Sequence, residues 1–475
     1  MLVTGVLVAT LGAAMLLPAL VDLAADNDDW MIFATASMMT MLFGLGLFVA
    51  NRGAPKGLST RQAMLMTVIA WTALVAFGAL PILWSGVVPS YTDAFFESMS
   101  GLTTTGATVI TGLDTAPPGI LFWRGLLQWL GGLGIIVMAI AVLPMLQIGG
   151  MQLFKAEAFD TAEKILPRAT QISMSITLVF IAMTGICAVS YMAVGMAADD
   201  AVIHAMTTVA TGGFSTKDSS IGFFQSPGVE WIAIIFMFLG SIPFLIYVQV
   251  LQGRFRTILV DDQVKAFTGF IAVCIVIGWV MAHFSESHRG LEALRHAAFN
   301  VISITTGTGY ASTDYGLWGP HAVTFFFIIM FVGGCAGSTS CGIKIFRFQV
   351  LFEAVRQHIS QVMYPHGVFR AHFNGKPIQD RVVASVMSFF FLFVASFVVL
   401  SILLRLSGMD TVTALSGAGT ALSNVGPGLG DIIGPAGNFK SLSDTQKWLL
   451  AGGMLLGRLE LFTVLVLFLP RFWRS

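Results

Sequence analysis

Four short runs of threonine and glycine are the stretches of this chain best suited to chemistry. They are LTTTGATVIT at 102–111, ATGGFSTKD at 210–218, TGTGYASTD at 306–314 and SNVGPGLGD at 423–431. Such residues suit a turn whose backbone carbonyls point inward at an ion. Glycine permits a positive φ, and nothing bulky blocks the axis. Inside a membrane, non-helical backbone is tolerated only where it is buried in protein or lines a water-filled cavity. Four turns around one axis would replace the hydration shell of a monovalent cation. The C-termini of short helices leading into them would add partial negative charge.

The runs align on Gly106, Gly213, Gly309 and Gly426. Thirteen residues before the glycine stand Asp93, Asp200, His296 and Thr413. Five after it stand Thr111, Asp218, Asp314 and Asp431. One unit copied four times and diverged accounts for this pattern. A single run could as well be a re-entrant turn that merely packs, but four in register favour a pore. Asp218, Asp314 and Asp431 would then make its outer mouth negative. Glu97, His204 and Asn300 share a register nine residues before the glycine, and are expected to hydrogen-bond within the pore wall.

The elements that must position these turns follow from composition. The chain is 56% hydrophobic and 11% charged, with zero net charge, against roughly 25% charged residues in a soluble domain. This is a polytopic membrane protein with little mass outside the bilayer. Its four cysteines, Cys187, Cys274, Cys335 and Cys341, form no metal spacing and are expected to be core thiols. No nucleophile–base pair or metal-ligand set stands in the apolar segments, so no enzyme is expected.

Ten segments can span a membrane: 3–21, 31–50, 63–84, 119–146, 170–197, 229–251, 266–284, 321–342, 383–404 and 447–469. The first lacks a basic leader, so it is expected to be a retained helix rather than a signal peptide. The fold expected is all-α: four helix–pore loop–helix repeats with four-fold pseudosymmetry around one pore, plus an N-terminal hairpin. The divisions are 1–55 for the hairpin, then 56–150, 151–256 and 257–350 for three repeats, the third with a gating loop. A cytoplasmic linker and the fourth repeat take 351–475. Most lysines and arginines, among them Lys56, Lys155, Lys164, Arg168, Arg347 and Arg370, fall in alternate connections. This bias makes the N-terminus cytoplasmic and the four polar runs outward-facing. The hydrophilic stretch 344–381, with His358, His366 and His372, is either a linker or a docking surface for a soluble partner.

TTTGAT, TGGFST, TGYAST and NVGPGL, with an arginine in the final helix, resemble the pore loops of the Trk/Ktr/HKT superfamily of potassium transporters. The two extra N-terminal helices and GGCAGSTSCGIKIFR at 333–347 look like its TrkH branch. The resemblance covers essentially the whole chain. It implies potassium uptake across the cell inner membrane through a single-chain selectivity filter, with K+ as the transported ion and no covalent cofactor. It implies a homodimer among membrane lipids and a cytoplasmic nucleotide-binding regulatory subunit of the TrkA type, and no nucleic acid. The filter glycines carry over to Gly106, Gly213, Gly309 and Gly426. Carbonyls would come from Thr104 and Thr105, Thr211 and Gly212, Gly307 and Thr308, and Asn424 and Val425. No copy has the full TVGYG of potassium channels, so a shorter filter is expected. The rival is an alternating-access symporter coupled to protons or sodium, which would often show inverted repeats and an intramembrane acid. These repeats are parallel, and Glu460 is the one acid in the middle of a span.

Two features are expected below the filter. Arg458 falls inside the last span, where an unpaired arginine costs at least about 2.5–3.5 kcal/mol. It must face a cavity or a carboxylate, and Glu460, two residues on, is a poor local partner. Either it makes a structural ion pair, or it is a positive charge that limits ion flow, as the resemblance implies. Segment 321–342 carries Gly333, Gly334, Gly337, Ser338, Thr339 and Ser340. These make either a close-packing face or an unwound segment. The resemblance implies a flexible loop that blocks the pore and moves to open it. Lys344 could latch that loop to an acid or a helix C-terminus.

Overall fold

The computed structural model describes residues 1–53, 59–141, 169–285 and 289–474. Lys56, Lys155, Lys164, Arg168 and the divisions at 55/56 and 150/151 lie outside the described residues, as does the end of the 119–146 span. Apolar runs of this length have no water to satisfy their backbone, so they close their own hydrogen bonds as helices. Among the described residues seven straight helices can cross a membrane: Leu2–Ala24, Trp30–Ala50, Thr60–Trp84, Pro118–Ile136, Gln171–Ala193, Asp262–Phe284 and Asp380–Leu406. The first two pack closely through small residues; a Cβ on Gly44 would overlap the Ala9 backbone. This hairpin is fastened to the first repeat where Asp22 accepts the Gly119 amide at 2.7 Å, at the start of the helix beginning at Pro118.

Three of the ten expected spans are not straight helices. The 229–251 span is two helices, Pro227–Gly240 and Phe244–Leu251, bent by 92°. The 447–469 span bends by 113° between Asp444–Arg458 and Phe462–Phe468. Its break is marked by Glu460 and Leu461, both at positive φ. The 321–342 span is helical only over Pro320–Ile329. The next helix is Ile345–Met363, so the expected division at 350 falls within it. Apolarity reports length in the bilayer; it does not report where the chain turns within the protein.

Between the spans lie four short helices, Tyr91–Leu102, Ala198–Val209, Gly290–Thr306 and Thr411–Ser423. Ser90 and Asp410 cap two of them by accepting the amides of Asp93 and Thr413. Hydrogen bonds from Thr413 hold the Asp410 carboxyl below its usual range. Each short helix is buried along most of its length, in protein rather than lipid. We call them pore helices. Each leads into a residue in the left-handed region: Thr104 (φ 52°), Thr211 (49°), Gly307 (76°) and Asn424 (50°). The next amide, of Thr105, Gly212, Thr308 or Val425, then reaches back to Ser100, Thr207, Ser303 or Thr420, at 2.8–3.1 Å. This is the 6→1 closure of a Schellman turn, repeated four times. Asparagine and glycine accept that conformation; the β-branched Thr104 and Thr211 are strained in it.

Candidate functional site

The left-handed residue stands two before the aligned glycine in every copy, and the glycines are left-handed too, at φ 87°, 78°, 80° and 106°. The four turns close on one another. A Cβ added to Gly106 would strike the carbonyl oxygen of Gly212. One on Gly213 would strike Thr308, one on Gly309 Val425, and one on Gly426 Thr105. The contacts run from the first copy to the second, third and fourth and back to the first. The predicted residues are therefore brought together as a ring around one axis, with the first and third turns opposite each other.

Buried carbonyls are normally paired. Here the backbone oxygens of Thr104, Thr105, Gly106, Thr211, Gly213, Gly307, Thr308, Gly309, Asn424, Val425 and Gly426 receive no hydrogen bond from the described residues. Gly212 differs: its oxygen accepts from the Gln128 side chain. Unpaired oxygens around an axis have the chemistry of cation ligands.

Side chains on the pore helices hold the chain that leaves each glycine. Glu97 accepts from Thr108 Oγ1 at 2.9 Å and from the Val109 amide at 2.8 Å. His204 Nε2 lies 3.0 Å from Ser215 Oγ. Asn300 donates to Ser312 Oγ at 3.0 Å. The shared register of Glu97, His204 and Asn300 thus marks one structural task, a tether from the pore helix to the irregular segment that follows the aligned glycine. The fourth copy has Gly417 at that register, and Ser416 takes over by accepting the Leu429 amide at 2.9 Å.

Two participants, Arg124 and Gln128, had no motif to reveal them, and a third, Tyr310, stands within the third polar run. Arg124 is buried and pairs with Glu97 at 2.8 Å. It also donates to the Ser215 carbonyl at 2.8 Å and stacks on Phe214, so it joins the first copy to the second. Gln128, one helical turn on, accepts the Phe214 amide at 2.9 Å. Tyr310 places its hydroxyl against Thr207 and Thr208. The available signal was a buried-looking arginine and glutamine, one turn apart, in an apolar helix.

Beneath the ring, on the pore-helix side, runs the segment from Met330 to Lys344. Cys341 Sγ is 3.4 Å from Thr104 Oγ1 and also abuts Gly307. Those residues belong to opposite turns, so Cys341 crosses the axis. Gly333 pairs with Lys344 in a two-residue parallel bridge. Thr339 Oγ1 donates to the carbonyls of Gly240 at 2.8 Å and Val209 at 3.0 Å. Ser340 Oγ takes the Gly334 amide, Ser338 Oγ donates to Cys335, and the Gly337 carbonyl takes the Phe244 amide. The segment is therefore unwound, and these hydrogen bonds hold it to the neighbouring helices. Lys344 reaches the Ser340 carbonyl rather than the expected acid or helix end. Arg458 is the last residue of its helix, not the middle of a straight span. Its Nη1 lies 2.9 Å from Cys341 Sγ and its Nη2 2.9 Å from the Gly131 carbonyl.

Residues 30–475 match the TrkH family model, described as a cation transport protein. The chain is 40% identical to the Trk system potassium uptake protein TrkI of Halomonas elongata, over 100% of this chain and 96% of that one. It is 36% identical to TrkH of Escherichia coli, over 100% and 98%. The crystal structure of the potassium transporter TrkH from Vibrio parahaemolyticus superimposes with a TM-score of 0.91 at 34% identity, covering 99% of this chain and 98% of that one. This chain belongs to the TrkH family of cation transport proteins. It is a membrane transporter, not an enzyme.

In this TrkH-family chain the four aligned glycines also line a cavity on the other side of the ring, with Ala107, Arg124, Lys217, Asp218 and Pro427 around it. Of the three acids expected at the mouth, Asp218 alone is in that lining. Its carboxylate receives the amides of Gly112 and Leu113. Asp314 is taken up capping a short turn through the Gly316 amide, and Asp431 lies in the first turn of the helix Gly430–Ile433. Lys217 adds a positive charge, 3.6 Å from Asp200. The uniformly negative mouth is thus corrected to a mixed one. Glu460, whose partner the sequence left open, pairs with the buried Arg347 on Ile345–Met363. His358, His366 and His372 are exposed, and the four cysteines are buried and free.

Proposed function

We propose that this protein carries potassium into the cell across the inner membrane, with its N-terminus in the cytoplasm. The ion passes through the ring formed by Thr104, Thr105, Gly106, Thr211, Gly212, Gly213, Gly307, Thr308, Gly309, Asn424, Val425 and Gly426. The observation that carries this reading is a closed ring of backbone oxygens, almost all of which lack a donor among the described residues. Potassium uptake is the stated role of the relatives TrkI and TrkH. Membrane potential drives entry at about 2.3 kcal/mol per charge per 100 mV. The segment holding Gly333, Gly334, Gly337, Ser338, Thr339, Ser340 and Lys344, locked by Arg458, closes the path below the ring. A homodimer in lipid, with a TrkA-type nucleotide-binding subunit on the cytoplasmic surface of Ile345–Met363, completes the reading.

The test is tracer rubidium uptake into liposomes holding the purified protein and an internal potassium load. Uptake that external potassium blocks and sodium does not is the expected result. Uptake that appears only with a proton or sodium gradient replaces the pore with a symporter. Arg458→Ala is expected to raise the flux about tenfold, the factor given by removing about 1.4 kcal/mol of charge repulsion from the axis. It also frees Cys341 from the guanidinium. An unchanged or lower flux from well-folded Arg458→Ala protein removes Arg458 from the gate.

A further inference from the structure

The ring is not four-fold in one respect. The residue before the aligned glycine is β-branched in three copies, as Thr105, Thr308 and Val425, and glycine in the second, as Gly212. A side chain at 212 would run into the carboxamide of Gln128, which occupies that space. Gln128 is fully buried on the apolar helix Pro118–Ala141. Its amide group donates to the Gly212 carbonyl, and its oxygen accepts the Phe214 amide at 2.9 Å. One side chain thus fixes the peptide groups on both sides of Gly213. Phe214 in turn lies against Arg124, so the bracket is continuous with the Glu97–Arg124 pair.

This arrangement has a consequence for the ion. A carbonyl that already accepts a hydrogen bond offers less negative charge to a cation than one with no donor. The Gly212 oxygen is the member of the ring with such a donor among the described residues. Ligands of weaker field favour the larger, more easily dehydrated cation, and ligands of stronger field favour the smaller one. Hydrogen bonds to the peptide groups on both sides of Gly213 also keep this turn from collapsing onto a small ion. Both effects favour potassium over sodium.

We propose that Gln128 is a positioning residue that sets ion discrimination, by sharing the Gly212 carbonyl with the transported ion and fixing the turn around Gly213. This rests on the filter reading above. The wild-type protein is assayed first, with rubidium uptake titrated by potassium and by sodium. If sodium competes as well as potassium there, the filter reading itself fails. If the wild type discriminates, the same titrations are run on Gln128→Leu and Gln128→Glu. Leucine fills the space but makes neither hydrogen bond. Glutamate keeps the length and the acceptor for Phe214, and it loses the donor to Gly212 once deprotonated, so its ratio is read as pH rises through that titration. Both variants are expected to lower the ratio of sodium to potassium inhibition constants by about fivefold, the size of one lost hydrogen bond. Should leucine prevent folding, the glutamate variant carries the test alone. A fall in total uptake with an unchanged ratio makes Gln128 a packing residue and overturns the proposal.

Discussion

Gly309→Ala is expected to reduce rubidium uptake on the order of a hundredfold while leaving the protein monodisperse in detergent. Gly309 sits at φ 80°, where an L side chain costs about 1–2 kcal/mol. The new methyl group would be driven into the Val425 carbonyl oxygen and the Pro427 ring. Neither is the tip of a flexible side chain, so the neighbouring turn has to move. Overpacking of this kind costs about 1–3 kcal/mol more. Together these terms reach about 2–5 kcal/mol, and each 1.36 kcal/mol on a barrier is about tenfold in rate. The loss falls on the ring because the clash is between two of its turns. Gly185→Ala is the control: a Cβ there meets open space, and uptake should stay at the wild-type level. Normal uptake from Gly309→Ala would falsify the assignment of the ring as the ion path.

That glycine was legible in the sequence because its requirement is local. A left-handed turn with no room for a Cβ can be met by one residue type, so the aligned position stayed glycine in four diverged copies. The position two before it has the same left-handed conformation, yet reads Thr104, Thr211, Gly307 and Asn424. Thr104, Thr211 and Asn424 each carry a side chain in that conformation, and strain is tolerated where the surrounding structure holds it. No sequence rule would have found that second register. The tethers were partly legible. Glu97, His204 and Asn300 declared themselves as polar residues at one offset, while Ser416 escaped because the fourth copy moved the task by one residue.

Partners supplied by distant elements were not legible. Arg124 stands in an apolar segment with no motif around it, and it is buried beside Glu97. Arg347 and Glu460 are far apart in the chain and meet only because the last span bends sharply after Arg458. The bends themselves leave no apolar signature. A buried segment that turns back inside the protein has the same composition as one that continues straight. The sequence therefore located the four turns and the unwound segment at 330–344, and the structure supplied what orients them.

Arg124→Leu is expected to lower the melting temperature in detergent more than any other change considered, and to abolish uptake. Arg124 and Glu97 are nearly inaccessible to solvent, at 2% and 0% side-chain exposure. Removing one partner of a buried pair typically costs about 3–5 kcal/mol, because the other charge is left behind. Leucine restores the packing volume but leaves the Glu97 carboxylate with Thr108 and the Val109 amide as its remaining donors. The Ser215 carbonyl loses its donor in the same step. Glu97→Gln should be milder, about 1.5–3 kcal/mol, since the amide oxygen still accepts from Arg124. The double variant, Glu97→Gln with Arg124→Leu, should recover part of the loss, because the orphaned carboxylate is gone. A thermal-shift cycle over the wild type and these three variants measures the coupling directly. Additive losses would mean that the pair is incidental packing. A coupling of 1 kcal/mol or more, on the scale expected for contacting residues, would mean that this ion pair fixes the angle between the first and second turns, on which the closure of the ring depends.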